Sequence, residues 1–538
     1  MILHEKKTYV GVAVLLLSIH FILSSLAIFA KSPTFDESVH LSGGYTYWKL
    51  NDYRINPENG NFPQRWAALP LLIKNNITLP LESEYWKNSK QWFFSYIFIF
   101  KSGNDHESLF RLSKFNMILL SLALCSSVFF ISKKIFGIRG AMISLALCAL
   151  SPTILAHSNL VTSDMSSALF FLLSIFFLWE NLRKINLSNT ILCSLSLSFL
   201  FLSKMSAPLI IPLYLIIILI RLRSPESIVC EFRNKKKLLD NSASKIKGIA
   251  VLVLIHTLSV FVTIWAAYGF RYHPVPAGSP SAGKVAMEWN ELLKDNDSLE
   301  KIIITMDKFR ALPRAYLHGF LYVKKHLGKR LAFMNGEKSK DGFALFFPYC
   351  FLVKTPIPSL LMMIASVFII TGLGRRPKDI APFVIFTLIF VSVALTSSIN
   401  IGHRHLLPLY PIIFIFCGVL GTNSQNKDTS FKRNSFVLTC IVWLAFEAVA
   451  SAPNHLSYFN QIVGGSGKGY LHLADSSIDW GQDLKDVKKL RDKLDPEHNE
   501  LFHIAYFGTA SINSYGLKDF ISLPGFFTQE NAVVHRYK

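Results

Sequence analysis

Two adjacent carboxylates, Asp36 and Glu37, stand just past the end of the first long apolar run. They open a stretch, residues 32–70, that reads SPTFDESVHLSGGYTYWKLNDYRINPENGNFPQRWAALP. His40 follows Asp36 by four residues, which places both on one face of a helix. Farther on come an Asn-Pro-Glu turn holding Glu58 and then the basic residue Arg65. Acids, an imidazole and a guanidinium clustered at a membrane surface point to chemistry there. Each also has a structural reading. Thr34 and Glu37 have capping-box spacing, so Glu37 can simply close the start of a helix. Asp36 sits in a first turn, where the helix dipole favours any anion. Tyr45, Tyr47 and Trp48 can stack on a sugar or serve as an interfacial aromatic belt.

These residues must be positioned by membrane spans. The chain has 538 residues, 51% of them hydrophobic, with a mean hydropathy of +0.35. Apolar runs of about 20 residues recur along it, which reads as an α-helical polytopic membrane protein. The formal charge of +21 belongs in loops facing the cytoplasm and at anionic lipid surfaces, so nucleic-acid binding is not implied. Of the seven cysteines, six lie in apolar stretches and Cys230 in a basic loop. That pattern argues against a disulfide framework. Lys6 and Lys7 precede the first apolar run, which is long and lacks a small-residue cleavage site, so it reads as an uncleaved span.

Apolar length gives about 11 transmembrane helices: 9–30, 115–131, 141–157, 165–179, 190–202, 208–222, 249–268, 356–373, 380–399, 406–420 and 435–452. With the N-terminus inside, every cytoplasmic loop carries at least two basic residues. They are Lys133-Lys134, Arg183-Lys184, Lys235-Lys236-Lys237, Arg375-Arg376 and Lys432-Arg433. A transmembrane module then covers residues 1–452, with external loops at 31–114 and 270–342. A small soluble α/β domain follows at 453–538, with a helix over 483–494 and a strand over 502–507. Residues 301–323 read as helix interrupted at Pro313, and 343–352 as an interfacial segment. Asn76 and Asn296 begin glycosylation-type triplets, which arise often by chance. Every unusual polar cluster falls on the external face: Asp36, Asp164, Lys204, His403, Arg404 and the tail. Charges at helix ends facing a bundle are costly and usually functional.

Several of these stretches resemble the C-type membrane glycosyltransferases (GT-C), within the lipid-carrier-dependent group that includes protein O-mannosyltransferases and the aminoarabinose transferase of lipid A. They are FDESVHLSGGYTYW, NPENGNFPQRWAALPLL, SPTILAHSNLVTSDMSSALFF, FLVKTPIPSLL, NIGHRHLLPLYP and YFNQIVGGSGKGYLHLADSSIDWGQDLK. The resemblance implies that Asp36 is the family's first-loop acidic residue, a catalytic base or acceptor-binding acid, with Glu37 its partner and Asp164 the second external acid. It implies that Glu58 and Arg65 occupy the family's acidic and basic turn positions. One departure stands out. The aminoarabinose group commonly has an arginine three residues after the aspartate, where this chain has Val39.

The expected reaction is inverting transfer of a sugar from a polyprenyl-phosphate donor to a hydroxyl on a protein, lipid A or glycan. It would take place at the periplasmic face of a bacterial inner membrane. Asp36, Glu37 and Asp164 are the catalytic candidates. Arg65, Lys204, Arg271, Lys354 and Arg404 are the donor-phosphate candidates, with arginine suited to bidentate contact. Lys204, Lys354 and Arg271 can equally anchor helix ends. His40, Glu58, His403 and Asp479 are candidates for substrate contact, and Asp479 can instead cap a helix. A divalent cation is compatible with this many acids and histidines, but no spacing specifies one. Two other functions fit the same membrane pattern. A transporter or flippase of lipid-linked sugar would place polar residues deep within helices. An assembly subunit would tolerate loss of the acids.

Overall fold

The computed structural model describes residues 2–233, 235–277, 289–293, 297–326, 330–372, 378–422, 427–518 and 520–522. The expected features Arg375, Arg376 and Asn296 lie outside the described residues. The chain is a multi-pass helical protein. Its first half runs α1 Ile2–Ala30, α2 Glu37–Lys49, α3 Asn61–Ala68, α4 Glu84–Lys87, α5 Gln91–Phe100, α6 His106–Ala149, α7 Pro152–Ser158, α8 Asp164–Arg183, α9 Leu187–Ser203, α10 Ile210–Arg223 and α11 Ser242–Ala267. The second half runs α12 Trp289–Leu292, α13 Ser298–Lys308, α14 Arg314–His326, α15 Phe346–Lys354, α16 Ile357–Gly372, α17 Ala381–Thr396, α18 Leu409–Cys417, α19 Lys427–Ala450 and α20 Leu484–Leu494.

All eleven expected spans are helical, but they do not divide as hydropathy suggests. Among the described residues six helices are long and apolar enough to cross a membrane, or seven if α15 and α16 count as one bent span. Three physical causes separate six from eleven. The 44-residue α6 carries the second expected span and the start of the third through a break at Gly137 (φ 78°, ψ −175°). That left-handed backbone costs glycine least. The third expected span breaks again after Leu150, where Ser151 caps α7 and Pro152 takes its first turn. Finally, α9, α10, α16 and α18 have 17, 14, 16 and 9 residues, short of the ~20 a bilayer asks for. The compact α18 is apolar and mostly buried, as a helix inside a bundle should be. By contrast α1, α11 and α16 turn Leu15, Val262 and Phe368 outward, as lipid-facing helices do.

The interfacial segment expected at 343–352 is α15, bent by 112° from α16 across Thr355 and Pro356. The second loop breaks between α13 and α14, around Pro313. Several short elements escaped the sequence reading, among them two small sheets. The basic loop after α10 forms a small sheet in which β1 Lys184–Ile185 pairs parallel with β2 Ile228–Phe232, and β2 antiparallel with β3 Lys235–Leu239. In the second loop, β4 Ala332–Met334 and β5 Glu337–Ser339 form a hairpin. The tail holds α20 and a parallel pair of β6 Phe502–Ile504 with β7 Phe520–Ser522. It does not stand apart from the membrane module. Ser32 N–H donates to Gln482 O (2.9 Å) and Phe35 N–H to Trp480 O (2.7 Å), so the DWGQD run lies along the segment leading to Asp36.

The first loop is folded around a buried ion pair. Arg54 donates through Nε and Nη2 to the Asp52 carboxylate, with Nη2 2.7 Å from Oδ2, and its guanidinium stacks 4.4 Å from the Trp86 ring. Both side chains are almost fully enclosed. Removing one member of such a pair leaves an uncompensated buried charge. We therefore expect Arg54→Ala to cost about 3–5 kcal/mol, read as a lowered melting temperature of the detergent-solubilised chain. An unchanged melting temperature would show that the pair does not organise this loop.

Candidate active site

The charged residues meet at the end of the bundle where α1 finishes, α8 begins and α9 finishes. Asp36 precedes α2 and Asp164 opens α8, so two positive helix ends point at the same place. Arg404 lies in a short 3-10 turn, His403–Leu406, just before α18. Its Nη1 donates to Asp36 Oδ2 at 2.9 Å and sits 3.7 Å from Asp164 Oδ2. Lys204, the residue ending α9, donates to Asp164 Oδ1 at 2.6 Å, and Thr162 Oγ1 donates to Oδ2 at 3.2 Å. Two acids from distant parts of the chain thus share one arginine.

The two carboxylates differ in exposure. The Asp164 side chain is 1% exposed and that of Asp36 is 23%. Asp164 is therefore enclosed by its cations, and Asp36 is the acid an incoming group can reach. Arg404 is held from behind by the Trp480 ring, 4.1 Å from the guanidinium carbon. Burial works against its charge, yet Asp36, Asp164 and Asp475 outweigh that and hold the guanidinium above its usual range. Its Nε is buried without a hydrogen-bond partner. So are His40 Nδ1, His405 Nε2 and both ring nitrogens of His157. Unpaired buried polar atoms are rare and ask for an explanation; here each belongs to a side chain close enough to Asp164 for that charge to act on it. Burial pushes His40 down to about 4, against the pull of Asp36 and Asp164, so its imidazole is neutral at neutral pH.

Glu58 lies close enough to Asp36 for that charge to act on it. Gln91 Nε2 donates to its Oε1 at 2.5 Å, while Oε2 is enclosed and unpaired. Burial is the main cause of a carboxyl raised from 4.5 to about 7, and the Asp36 charge adds to it. The turn bearing Glu58 is pressed against the end of α9. A Cβ on Gly60 would lie 1.9 Å from Ser203 O, so only glycine permits this approach beside Lys204.

Other expected site residues do different work. Glu37 is fully buried, and both its oxygens are taken. Thr34 N–H (2.7 Å) and Lys114 Nζ (3.0 Å) reach Oε2, and Val161 N–H donates to Oε1 at 2.9 Å. This is the capping box plus a buried ion pair, and it ties the first loop to the segment before Asp164. Glu37 is therefore a positioning residue and has no face left for substrate. Lys354 is likewise spent: Nζ donates to Leu456 O (2.8 Å) and Ser477 O (2.6 Å), 4.2 Å from the Phe459 ring centroid. Arg65 donates to Tyr53 OH (3.1 Å) and Ala267 O (3.2 Å) and stacks on Trp48. Arg271 donates to His273 O (2.7 Å) and Pro274 O (2.9 Å) over the Tyr53 ring. These two arginines fasten the first loop to the start of the second, because unpaired carbonyls at loop ends need donors. His403 Nε2 bonds Tyr410 OH (3.0 Å) and Thr153 Oγ1 (3.3 Å), which fixes the turn carrying Arg404. Asp479 accepts from Gly481 N–H at 3.0 Å and shapes the Trp480 turn; it does not cap α20.

Sequence reasoning missed Lys114, Thr162, Trp480 and Asp475. Thr162 lay in the quoted stretch SPTILAHSNLVTSDMSSALFF and the last two in ADSSIDWGQD; only Lys114 lay outside every quoted motif. Asp475 holds a left-handed backbone (φ 55°) close enough for its charge to act on Arg404. Among the described residues no group of three or more His, Cys, Asp or Glu side chains is placed to hold a metal ion.

The dolichyl-phosphate-mannose-protein mannosyltransferase family model matches residues 91–230, from α5 through Asp164 and Lys204 to β2. The motif resemblance to the C-type glycosyltransferases is thus met independently over this stretch. No curated protein sequence matches the chain. Among solved structures it is similar to ArnT from Cupriavidus metallidurans bound to undecaprenyl phosphate, with a TM-score of 0.49, 11% identity, and 96% of this chain and 86% of that one covered. It is also similar to the oligosaccharyltransferase AglB from Archaeoglobus fulgidus in complex with an inhibitory peptide and a dolichol-phosphate, with a TM-score of 0.42, 13% identity, and 97% of this chain and 65% of that one covered.

The raised Glu58 carboxyl makes stability depend on pH. Between 4.5 and about 7 the folded chain holds a proton that the unfolded chain has released. Stability therefore falls as pH rises through that window and levels off above it. In Glu58→Gln this part of the fall disappears. Melting temperatures taken from pH 4.5 to 8 check this, and an identical profile in both proteins would refute it.

Proposed function

We propose that the chain is a membrane glycosyltransferase that moves a sugar from a polyprenyl-phosphate-linked donor to a hydroxyl-bearing acceptor. The observation that carries the reading is the sharing of Arg404 by Asp36 and Asp164, with Lys204 alongside. The match to the mannosyltransferase family supports a lipid-phosphate-linked donor. The basic residues at the opposite ends of the helices favour an external site, at the periplasmic face of a bacterial inner membrane.

The chemistry follows from the charges. The acceptor hydroxyl approaches Asp36, the more exposed acid. As its oxygen bonds to the anomeric carbon, the proton passes to the Asp36 carboxylate. The bond from that carbon to the phosphate oxygen breaks, and the lipid phosphate leaves with the electron pair. A single displacement of this kind inverts the anomeric centre. Phosphate is a good leaving group, so charge stabilisation matters more than an acid. Arg404, through its unpaired Nε, and Lys204 supply cations already in place, which do not reorganise as charge develops. Asp164 does not react; it keeps these two cations fixed and ionised. Glu58 and His40 border the space where the sugar or acceptor hydroxyls sit.

General-base catalysis contributes ~10²–10⁴-fold. We expect Asp36→Asn to lower transfer of radiolabelled sugar from a synthetic polyprenyl-phosphate donor by at least ~10²-fold, with the melting temperature unchanged. Undiminished transfer in Asp36→Asn would overturn the assignment of the base. Label that crosses a liposome bilayer without joining an acceptor would identify a flippase instead.

A further inference from the structure

A second feature lies at the far end of the bundle. Helix α8 has 20 residues, so at 1.5 Å per residue Arg183 lies about 28 Å and Trp179 about 22 Å along it from Asp164, toward the other membrane face. There α10 and α17 stand beside each other and both touch α8. Between them opens a cavity of about 540 Å³. Ile216, Leu219 and Ile220 wall it on the membrane side, and Arg221, Arg223 and Lys378 line its polar side. Glu226 is the sole carboxylate among its lining residues.

The cations are not equivalent. Arg221 is spent, with Nε donating to Leu182 O (3.0 Å) and Nη2 to Ser227 O (2.7 Å). Its Nη1 and the Lys378 ammonium share Glu226. Arg223 is exposed and makes no hydrogen bond or ion pair among the described residues. Three cations against one carboxylate leave the polar side of the cavity positive. The other side continues onto exposed Leu215 of α10 and Val384 and Leu388 of α17. Trp179 donates its indole N–H to Asp379 at 3.0 Å, at the level where aromatic residues mark a membrane interface.

We propose that this groove binds one anionic membrane phospholipid. Its phosphate sits between Arg223 and Lys378, and its acyl chains lie along the exposed faces of α10 and α17. Charge and shape select the occupant: a soluble anion has no use for the apolar wall, and a zwitterionic lipid gains little from the positive excess. Each basic residue near an anionic headgroup strengthens binding severalfold.

The test uses the full-length chain in detergent, offered equal amounts of phosphatidylglycerol and phosphatidylcholine and read by native mass spectrometry. The expected result is one retained phospholipid, with phosphatidylglycerol preferred about tenfold. Arg223→Gln should erase most of that preference, and Lys235→Gln, on the neighbouring sheet, should leave it intact. Arg223 supports no other group, so its loss should not disturb folding; a wild-type melting temperature checks this. Equal retention of both lipids by the wild type, or an undiminished preference in Arg223→Gln, overturns the proposal. Displacement of phosphatidylglycerol by an equimolar polyprenyl phosphate would overturn its assignment to a phospholipid.

Discussion

One guanidinium holds the molecule to its purpose. Arg404 stands between Asp36 and Asp164, residues separated by much of the chain and brought together only when four segments are in place. Two acids in a partly dry site cannot both remain charged unless cations sit between them. Arg404 and Lys204 supply those cations, and the amino ends of α2 and α8 add partial positive charge. The cluster is balanced at rest, two acids against two bases. It is also unbalanced in space, because of the two acids only Asp36 opens toward solvent. A phosphate entering beside Arg404 would meet a fixed positive edge, and a hydroxyl beside Asp36 a carboxylate ready to accept a proton.

The rest of the external structure fixes this arrangement. Glu37 is the neighbour of Asp36 in sequence and its opposite in role: fully enclosed, paired with Lys114 and bonded to Val161 N–H. Glu37 fixes the loop, and Asp36 before it stays partly exposed beside Arg404. The tail contributes from the other side. Its DWGQD turn pairs with the strand-like segment before Asp36 and lays Trp480 under Arg404. The carboxy-terminal segment is therefore part of the site's floor.

Much of this was legible in the residues. Apolar runs marked where the bundle helices lie, even though α9, α10, α16 and α18 are shorter than a bilayer asks. The gathering of Asp36, Asp164, Lys204 and Arg404 followed from counting spans, because an even number of crossings returns the chain to one face. What composition could not show was where a long basic side chain turns at a helix end. Lys354, Arg65 and Arg271 carry the same charge as Lys204 and sit at similar places. Their donors go to backbone carbonyls, while Lys204 turns inward to an acid. Hydropathy was equally blind to the break at Gly137, since a glycine inside an apolar run reads as more of the run. The Glu37–Lys114 pair joins residues far apart in the chain, and no local pattern announces it.

The account stands on Arg404 being the cation that a lipid phosphate meets. Binding of a fluorescent polyprenyl monophosphate to the detergent-solubilised chain, wild type beside Arg404→Met, measures this directly. The account predicts at least about a tenfold loss of affinity in the variant, the size of one charge-assisted hydrogen bond, and weaker binding by the wild type as salt is raised. Equal affinity in both proteins, with the variant folded, would contradict it.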